Sequence, residues 1–142
     1  MAYVMAVHAE KRDQQGRYCS LGETELLSDT GTPSWFAFFA GVRNEHNLEP
    51  IAPMRELPDD VSEQVRLAYE GLAECGDIVA MSWLSIDELL GFDYDAPLRF
   101  QGSGPGPRLK ADTYRALFGD QIFDEANQLK ALGADRIVYW IH

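Results

Sequence analysis

The order of hydrophobic and polar positions divides the chain into short segments with the patterns of strands and helices. Apolar and polar positions alternate over residues 3–11, which predicts a strand, and the turn residues after it allow residues 17–21 to return as its hairpin partner. Residues 136–141 are rich in Ile, Val, Tyr and Trp and predict a last, buried strand. A further strand is expected over residues 98–101, and the apolar run 78–81 fits either a strand or an extended link.

One predicted helix has almost no polar face. Thr32 and Pro33 have the types expected at a helix start, an N-cap followed by a proline in the first turn. Four aromatic residues then follow within five positions: Trp35, Phe36, Phe38 and Phe39. We therefore expect a short, central helix that ends near Gly41, preceded by an exposed loop over residues 22–32.

Two further helices are predicted from the polar residues at their starts. Asp59 and Asp60 are expected to open the first, with Glu63 three residues after Asp60, where a carboxylate stabilises the positive end of the helix. Ser85 followed by Glu88 has the spacing of a capping box, which predicts a short helix that begins after Ser85.

The longest helical pattern covers residues 111–132 and contains Gly119, which is expected to kink or split it. A glycine- and proline-rich hinge over residues 102–107 precedes it. Together the elements predict a single α+β domain of residues 1–142. Its small, mainly antiparallel sheet combines the N-terminal hairpin with the C-terminal strand beside it, and helices cover the sheet.

The charge of the chain restricts the partners it can bind. Its 142 residues include 12 basic and 23 acidic ones, a net charge of −11, which disfavours direct nucleic-acid binding and adhesion to an anionic membrane surface. Screening confines the opposing charges to about 8–10 Å, so a few local arginines can still hold one small anion. The chain has no run of 18 apolar residues, so no membrane span is predicted. Its first residues lack the basic region of a signal peptide, and we therefore expect a cytoplasmic location.

Most of the negative charge lies in one part of the chain. Between Glu56 and Asp95 there are eleven acidic residues, and the only basic residue is Arg66. Several of these acids are expected at helix starts, where they stabilise the helix and add to solubility. The alternative is an acidic docking surface for a basic partner, or one that imitates a phosphate backbone.

The residues that carry most enzyme chemistry are sparse. Cys19 and Cys75 lack the spacing of a redox or zinc motif, and the three histidines form no closely spaced pair. No glycine-rich nucleotide motif and no nucleophile elbow occurs. We therefore expect no metal, no cofactor and no catalytic residue, while the acid pair Asp93 and Asp95 keeps a small hydrolase open as an alternative.

Cationic and aromatic residues form the better candidates for a binding site. Arg43 and Asn44 directly follow the aromatic helix, and Arg55 lies in a proline-bearing connection. A guanidinium group suits phosphate or carboxylate, an amide can bind a base or ribose edge, and Trp83 beside Ser82 offers a stacking surface. Each has a structural alternative: Asn44 can end a helix, the arginines can pair with acids, and Trp83 can belong to the core.

Several segments of the chain resemble a group of small proteins from bacteriophages and prophage-bearing bacteria, for which no activity is settled. The resembling segments are residues 35–44, 53–62, 82–85, 88–90, 92–94 and 136–140. The resemblance implies an accessory protein in the host cytoplasm and carries over no catalytic residue. Some proteins of that group have histidines just before the Ser-Trp-Leu segment, where this chain has Val79, Ala80 and Met81, so the resemblance does not carry a histidine-dependent site over to this chain.

These observations lead to one expected function and two alternatives. We expect a non-catalytic accessory protein that binds and sequesters a small anionic ligand, such as a nucleotide-type host defence signal, through Arg43, Asn44, Arg55, Ser82 and Trp83. The first alternative is an acidic module that docks a basic host protein or mimics nucleic acid. The second is a small hydrolase.

Overall fold

The structure is a computed structural model that describes residues 3–24, 33–102 and 109–142. These residues form four strands and five helices in the order ββααβαααβ. The strands are β1 (Met5–Arg12), β2 (Tyr18–Glu23), β3 (Ala80–Ser85) and β4 (Arg136–Ile141). The helices are α1 (Pro33–Ala40), α2 (Glu63–Glu74), α3 (Ile86–Gly91), α4 (Tyr114–Phe118) and α5 (Gln121–Ala131).

The four strands form one antiparallel sheet with the order β2-β1-β4-β3. Strands β1 and β2 form the predicted hairpin, with an irregularity of register between Ala9 and Glu10. Strand β4 pairs with β1 on one side and with β3 on the other, and all of its residues are buried. The predictions of an α+β fold and of a last strand beside the first are confirmed.

Each face of the sheet carries its own hydrophobic cluster. On one face the aromatic side chains of α1, among them Phe38 and Phe39, pack with Val7 and Tyr139. Because α1 is apolar on all sides it has to be enclosed, and its four aromatic residues are all buried, as predicted. On the other face, α2 covers a smaller cluster around Trp140.

The expected strand over residues 98–101 is wrong. These residues form only an isolated bridge from Phe100 to Leu48, and the backbone N–H of Gln101 donates to the carbonyl of Asn47 at 2.8 Å. Their backbone groups are therefore satisfied by a loop and not by the sheet. The ambiguous run 78–81 leads into β3, which starts at Ala80.

The start of α2 also differs from the prediction. Ser62 is its N-cap, and the Ser62 hydroxyl accepts a hydrogen bond from the backbone N–H of Val65. Asp59 and Asp60 lie before the helix, and Asp60 pairs with Arg136 at 3.1 Å. An acid cannot cap the helix when its carboxylate is held by a cation on the sheet.

The other helix boundaries agree with the sequence. The capping box is present, because Ser85 Oγ accepts from the Glu88 N–H and Glu88 Oε1 accepts from the Ser85 N–H, both at 3.0 Å. The 111–132 pattern is split into α4 and α5 at Gly119, whose φ of +68° is costly for other residues. Residues 22 and 23 belong to β2. Thr32, most of the expected loop and most of the 102–107 hinge lie outside the described residues.

A buried charge network joins the start of α2 to the sheet. The carboxylate of Glu10 is fully buried and accepts from Arg136 Nε at 2.8 Å and from the Ser62 N–H at 2.7 Å. The Arg136 guanidinium lies over the ring of Tyr18, 3.5 Å from its centroid. Each buried charge therefore has a partner, which offsets the loss of hydration.

Glu125 is a buried acid whose carboxylate accepts fewer hydrogen bonds than that of Glu10. It lies on the inner face of α5 with 4% of its surface exposed, and its Oε1 accepts from Gln121 Nε2 at 3.0 Å. Within the described residues, its Oε2 has no hydrogen-bond partner. Burial raises the pKa of this carboxyl above its ordinary value of 4.5.

We expect the replacement Glu125→Gln to stabilise the protein at pH 8. A raised pKa means that the folded state binds the proton more tightly than the unfolded state. The ionised carboxylate therefore destabilises the fold when the pH lies above the pKa values of both the folded and the unfolded state. Below pH 4.5 the carboxyl is protonated in both states, and this destabilisation is absent. Thermal unfolding should show a Tm higher by about 2–4 °C at pH 8, the effect of about 1 kcal/mol in a chain of this size. The exposed matched variant Glu70→Gln should not change Tm, and an equal gain at pH 4 would contradict the prediction.

Candidate functional site

The loop that follows α1 has a backbone held by side-chain hydrogen bonds. Asn44 Nδ2 donates to the carbonyl of Leu48 at 2.6 Å, and Asn44 Oδ1 accepts from the Leu48 N–H at 2.7 Å. Arg43 and Asn47 adopt φ values of +53° and +58°, which side-chain-bearing residues rarely do. Strained positions of this kind persist where the surroundings enforce them, often at binding sites. Asn44, predicted to contact a ligand, thus closes the loop.

A cleft of about 220 Å³ opens beside this loop, and we call it the Arg43 cleft. Arg43, His46 and Ser34 contribute polar groups to its lining, and Leu48 and Leu109 contribute apolar surface. The sequence predicts Arg43 as a site residue but does not predict His46, because His46 lies in a polar stretch that is typical of a solvated histidine. The cleft offers a permanent positive charge next to apolar surface, the combination that suits an anion with an apolar part.

Neighbouring groups modulate the charge of the Arg43 cleft. The guanidinium of Arg43 lies over the ring of Tyr3, 4.6 Å from its centroid. This contact is a cation–π interaction, which stabilises the guanidinium in this position. The carboxylate of Glu45 lies 3.7 Å from His46 Nε2. Glu45 therefore places a negative charge beside His46.

A second cleft, of about 340 Å³, adjoins the same loop, and we call it the Arg99 cleft. Its lining includes Glu49, Pro53, Arg99 and Gln101. Arg99 Nε lies 3.4 Å from Glu49 Oε2, with both side chains at least half exposed. Its guanidinium lies over the ring of Phe92, 5.6 Å from the centroid. Each of these two clefts thus has one arginine stacked on an aromatic ring.

Three of the five predicted site residues meet at the edge of β3. The guanidinium of Arg55 donates to both carboxylate oxygens of Glu88, at 2.7 and 2.6 Å, and to the carbonyl of Trp83 at 3.1 Å. It also lies over the Trp83 ring, 4.6 Å from the centroid. The Arg55 N–H donates to the hydroxyl of Ser82, which is buried. These residues tie the proline-bearing connection to the sheet.

Glu88 also belongs to this cluster, although the sequence predicts it only as part of the capping box. Its carboxylate accepts from the Ser85 N–H and from Arg55 at the same time. The hydrogen bond from Arg55 is the main reason why the pKa of Glu88 falls to about 2. Arg55 and Glu88 are 33 positions apart, so no local pattern could have predicted the pair.

Comparison with family models, with curated proteins and with solved structures finds no match. The resemblance to phage proteins therefore stays a prediction. Over residues 3–24, 33–102 and 109–142, no three His, Cys, Asp or Glu side chains are grouped to hold a metal ion. No helix there is long and apolar enough to cross a membrane.

The Arg55–Glu88 pair should make stability depend on pH in the acid range. Because the folded-state pKa of Glu88 is about 2 and its ordinary value is 4.5, the pair stabilises the fold above pH 4.5, and this contribution falls as the pH drops towards 2. We expect Arg55→Met to lower Tm at pH 7, with a smaller difference from the unmodified protein at pH 2.5. Thermal unfolding across this range measures it.

Arg66→Met is the matched control, because Arg66 lies on the exposed side of α2 and, among residues 3–24, 33–102 and 109–142, its side chain donates only to the carbonyl of Asp59. Its effect on Tm should be small at both pH values. A Tm difference for Arg55→Met that is equally large at pH 7 and pH 2.5 would show that the Glu88 carboxylate does not contribute.

Proposed function

We propose that the protein binds a small anionic ligand in the Arg43 cleft and sequesters it without converting it. The observation that carries the proposal is the position of the Arg43 guanidinium beside apolar surface, on a loop whose backbone Asn44 holds in place. Preorganisation of this kind lowers the entropy lost on binding. A nucleotide-type ligand fits this chemistry, and the resemblance to phage proteins favours a host signal.

The net charge of −11 does not oppose such a site. Charges more than about 8–10 Å away are largely screened at physiological salt. A charged hydrogen bond contributes about 1.5–3 kcal/mol, so one or two from Arg43 to a phosphate add substantially to affinity. Glu45 is the acid in the lining of the cleft, and its carboxylate lies 3.7 Å from His46 Nε2.

The small hydrolase rests on the acid pair Asp93 and Asp95. Asp93 Oδ1 accepts from the Asp95 N–H, which is a turn contact, and the Asp95 carboxylate forms an ion pair with Arg115. Both acids therefore have structural contacts, and the hydrolase ranks below the sequestering protein.

The other three predicted residues belong to the Arg55 cluster at the edge of β3. Arg55, Ser82 and Trp83 all have partners within the protein, and Arg55 already donates to a carboxylate. Direct contact of these three residues with a ligand stays a prediction. Their contacts hold the chain just after the two clefts.

The acidic docking surface receives less support from the structure. Four of the eleven acids between Glu56 and Asp95 form ion pairs with cations that all lie outside this span. These pairs are Asp60–Arg136, Asp87–Lys130, Glu88–Arg55 and Asp95–Arg115. The negative charge that could face a basic partner is correspondingly smaller than the sequence indicates.

Calorimetric titration with a panel of nucleotides tests the proposal. Arg43→Ala should weaken the binding of every detected nucleotide at least tenfold, because the anion loses its cationic partner. Arg66→Ala removes the same charge from a remote, exposed helix face and should leave affinity within twofold. Ligand recovered from the denatured complex should be chemically intact by chromatography.

Two results would overturn the proposal. Equal affinities of Arg43→Ala and Arg66→Ala would show that the Arg43 cleft is not the binding site. A converted product in the recovered material would show that the protein is an enzyme.

A further inference from the structure

The Arg99 cleft has two opposite charges side by side in its lining. Arg99 Nε and Glu49 Oε2 are 3.4 Å apart, and the two side chains are 60% and 50% exposed. An exposed ion pair contributes little to stability, because water solvates and screens both charges. This pair therefore adds little to the fold, in contrast to the pair of Arg136 and Glu10, which is enclosed in the protein.

The backbone that carries the exposed pair is fixed by hydrogen bonds. The Glu49 N–H donates to the carbonyl of Arg99 at 2.9 Å, and the Arg99 N–H donates to the Tyr114 hydroxyl at 3.0 Å. The Gln101 N–H donates to the carbonyl of Asn47 at 2.8 Å. The main chain thus positions both charged residues before a ligand arrives, and such preorganisation lowers the cost of binding.

The rest of the cleft is mainly apolar. Its apolar lining consists of Pro50, Ile51, Ala52 and Pro53. The two prolines have fixed φ angles, and the Ile51 N–H donates to the carbonyl of Phe38 in α1 at 2.8 Å. This side of the cleft therefore keeps its shape and offers hydrophobic surface to an apolar group of a ligand.

The paired charges discriminate between classes of ligand. Arg99 attracts an anion such as a phosphate but the neighbouring Glu49 repels it, and the reverse holds for a cation. A ligand with both charges gains at both side chains, because its carboxylate faces the guanidinium while its ammonium group faces the carboxylate. The volume of about 340 Å³ lies near the lower end of the range of about 300–1,000 Å³ for small-molecule pockets. The cleft therefore fits a small zwitterion.

We infer that the Arg99 cleft binds a zwitterionic α-amino acid with an apolar side chain. The carboxylate of the amino acid lies against Arg99, its ammonium group lies against Glu49, and its side chain packs on Pro50, Ile51 and Pro53. Both charged groups of an α-amino acid are attached to one carbon atom, so they suit two protein charges that are 3.4 Å apart. This site is separate from the one in the proposed function and makes no use of Arg43.

Titrations followed by proton–nitrogen NMR correlation spectra test the inference. The probes are L-leucine, L-isoleucine, L-valine and L-methionine, with L-serine as the polar comparison. At least one apolar amino acid should shift the amide signals of Glu49 and Gln101 in a saturable way. It should bind at least threefold more tightly than L-serine, which has no apolar side chain to pack on the prolines. Inorganic phosphate should bind at least tenfold more weakly, because Glu49 repels it.

Two derivatives of the best-binding amino acid test its charges one at a time. Its methyl ester lacks the negative charge and its N-acetyl derivative lacks the positive charge, so each should bind the unmodified protein at least tenfold more weakly. Glu49→Gln should weaken binding of the amino acid at least fivefold but strengthen binding of the N-acetyl derivative, because the repulsion is removed. Arg99→Gln should weaken binding of the amino acid and strengthen binding of the ester. A merely structural role of the pair would not produce these opposite changes.

Lys130→Gln is the control for the loss of an exposed ion pair. Lys130 in α5 and Asp87 in α3 form such a pair, with 3.1 Å between Lys130 Nζ and Asp87 Oδ1. This variant should leave every affinity within twofold. All three variants should keep the Tm of the unmodified protein, because exposed pairs contribute little to stability.

Four results would overturn the inference. These are no saturable shift with any apolar amino acid, equal affinities for the amino acid and both derivatives, affinities of Arg99→Gln and Glu49→Gln that equal those of Lys130→Gln, and tighter binding of inorganic phosphate than of every amino acid. None of them bears on the proposed function, which depends on the effect of Arg43→Ala on nucleotide binding.

Discussion

Six residues of β4 hydrogen-bond with β1 on one side and with β3 on the other, and all six are buried. Because Met5 is the partner of Ile141, this pairing brings segments from opposite ends of the chain together. Successive side chains of β4 face opposite clusters, so the Tyr139 hydroxyl donates to the carbonyl of Phe39 in α1 while Trp140 packs beneath α2. The aromatic helix and the loop after it therefore depend on the pairing of β4 for their position.

The arginines around this sheet differ in their partners. Arg136 is enclosed with the carboxylate of Glu10, and Arg55 is held by both oxygens of Glu88. These two arginines join loops and helix starts to strands, which is a structural role. Arg43 and Arg99 are exposed and lie over the rings of Tyr3 and Phe92, and Arg99 also forms a longer, exposed ion pair with Glu49. Arg43 lines a cleft, whereas the guanidinium of Arg55 is held by Glu88, so Arg43 is the better candidate for contact with a ligand.

Patterns that depend on neighbouring residues were sufficient for most of the secondary structure. The capping box of Ser85 and Glu88, the hairpin, the aromatic helix and the break at Gly119 are all present. The strand expected over residues 98–101 is absent because its backbone pairs with a loop. A period of two identifies an extended segment but does not identify its partner.

By itself, the sequence determined most of the helical and extended segments and that the aromatic helix must be enclosed, because these properties follow from side chains within one or two turns of each other. Only the tertiary structure decided which charges meet. Asp60 faces Arg136 and not its own helix, Arg55 faces Glu88 across 33 positions, and Arg43 lines a cleft. An ion pair or a cleft depends on distances of a few ångströms between remote segments, and those distances exist only after β4 has paired with β1 and β3.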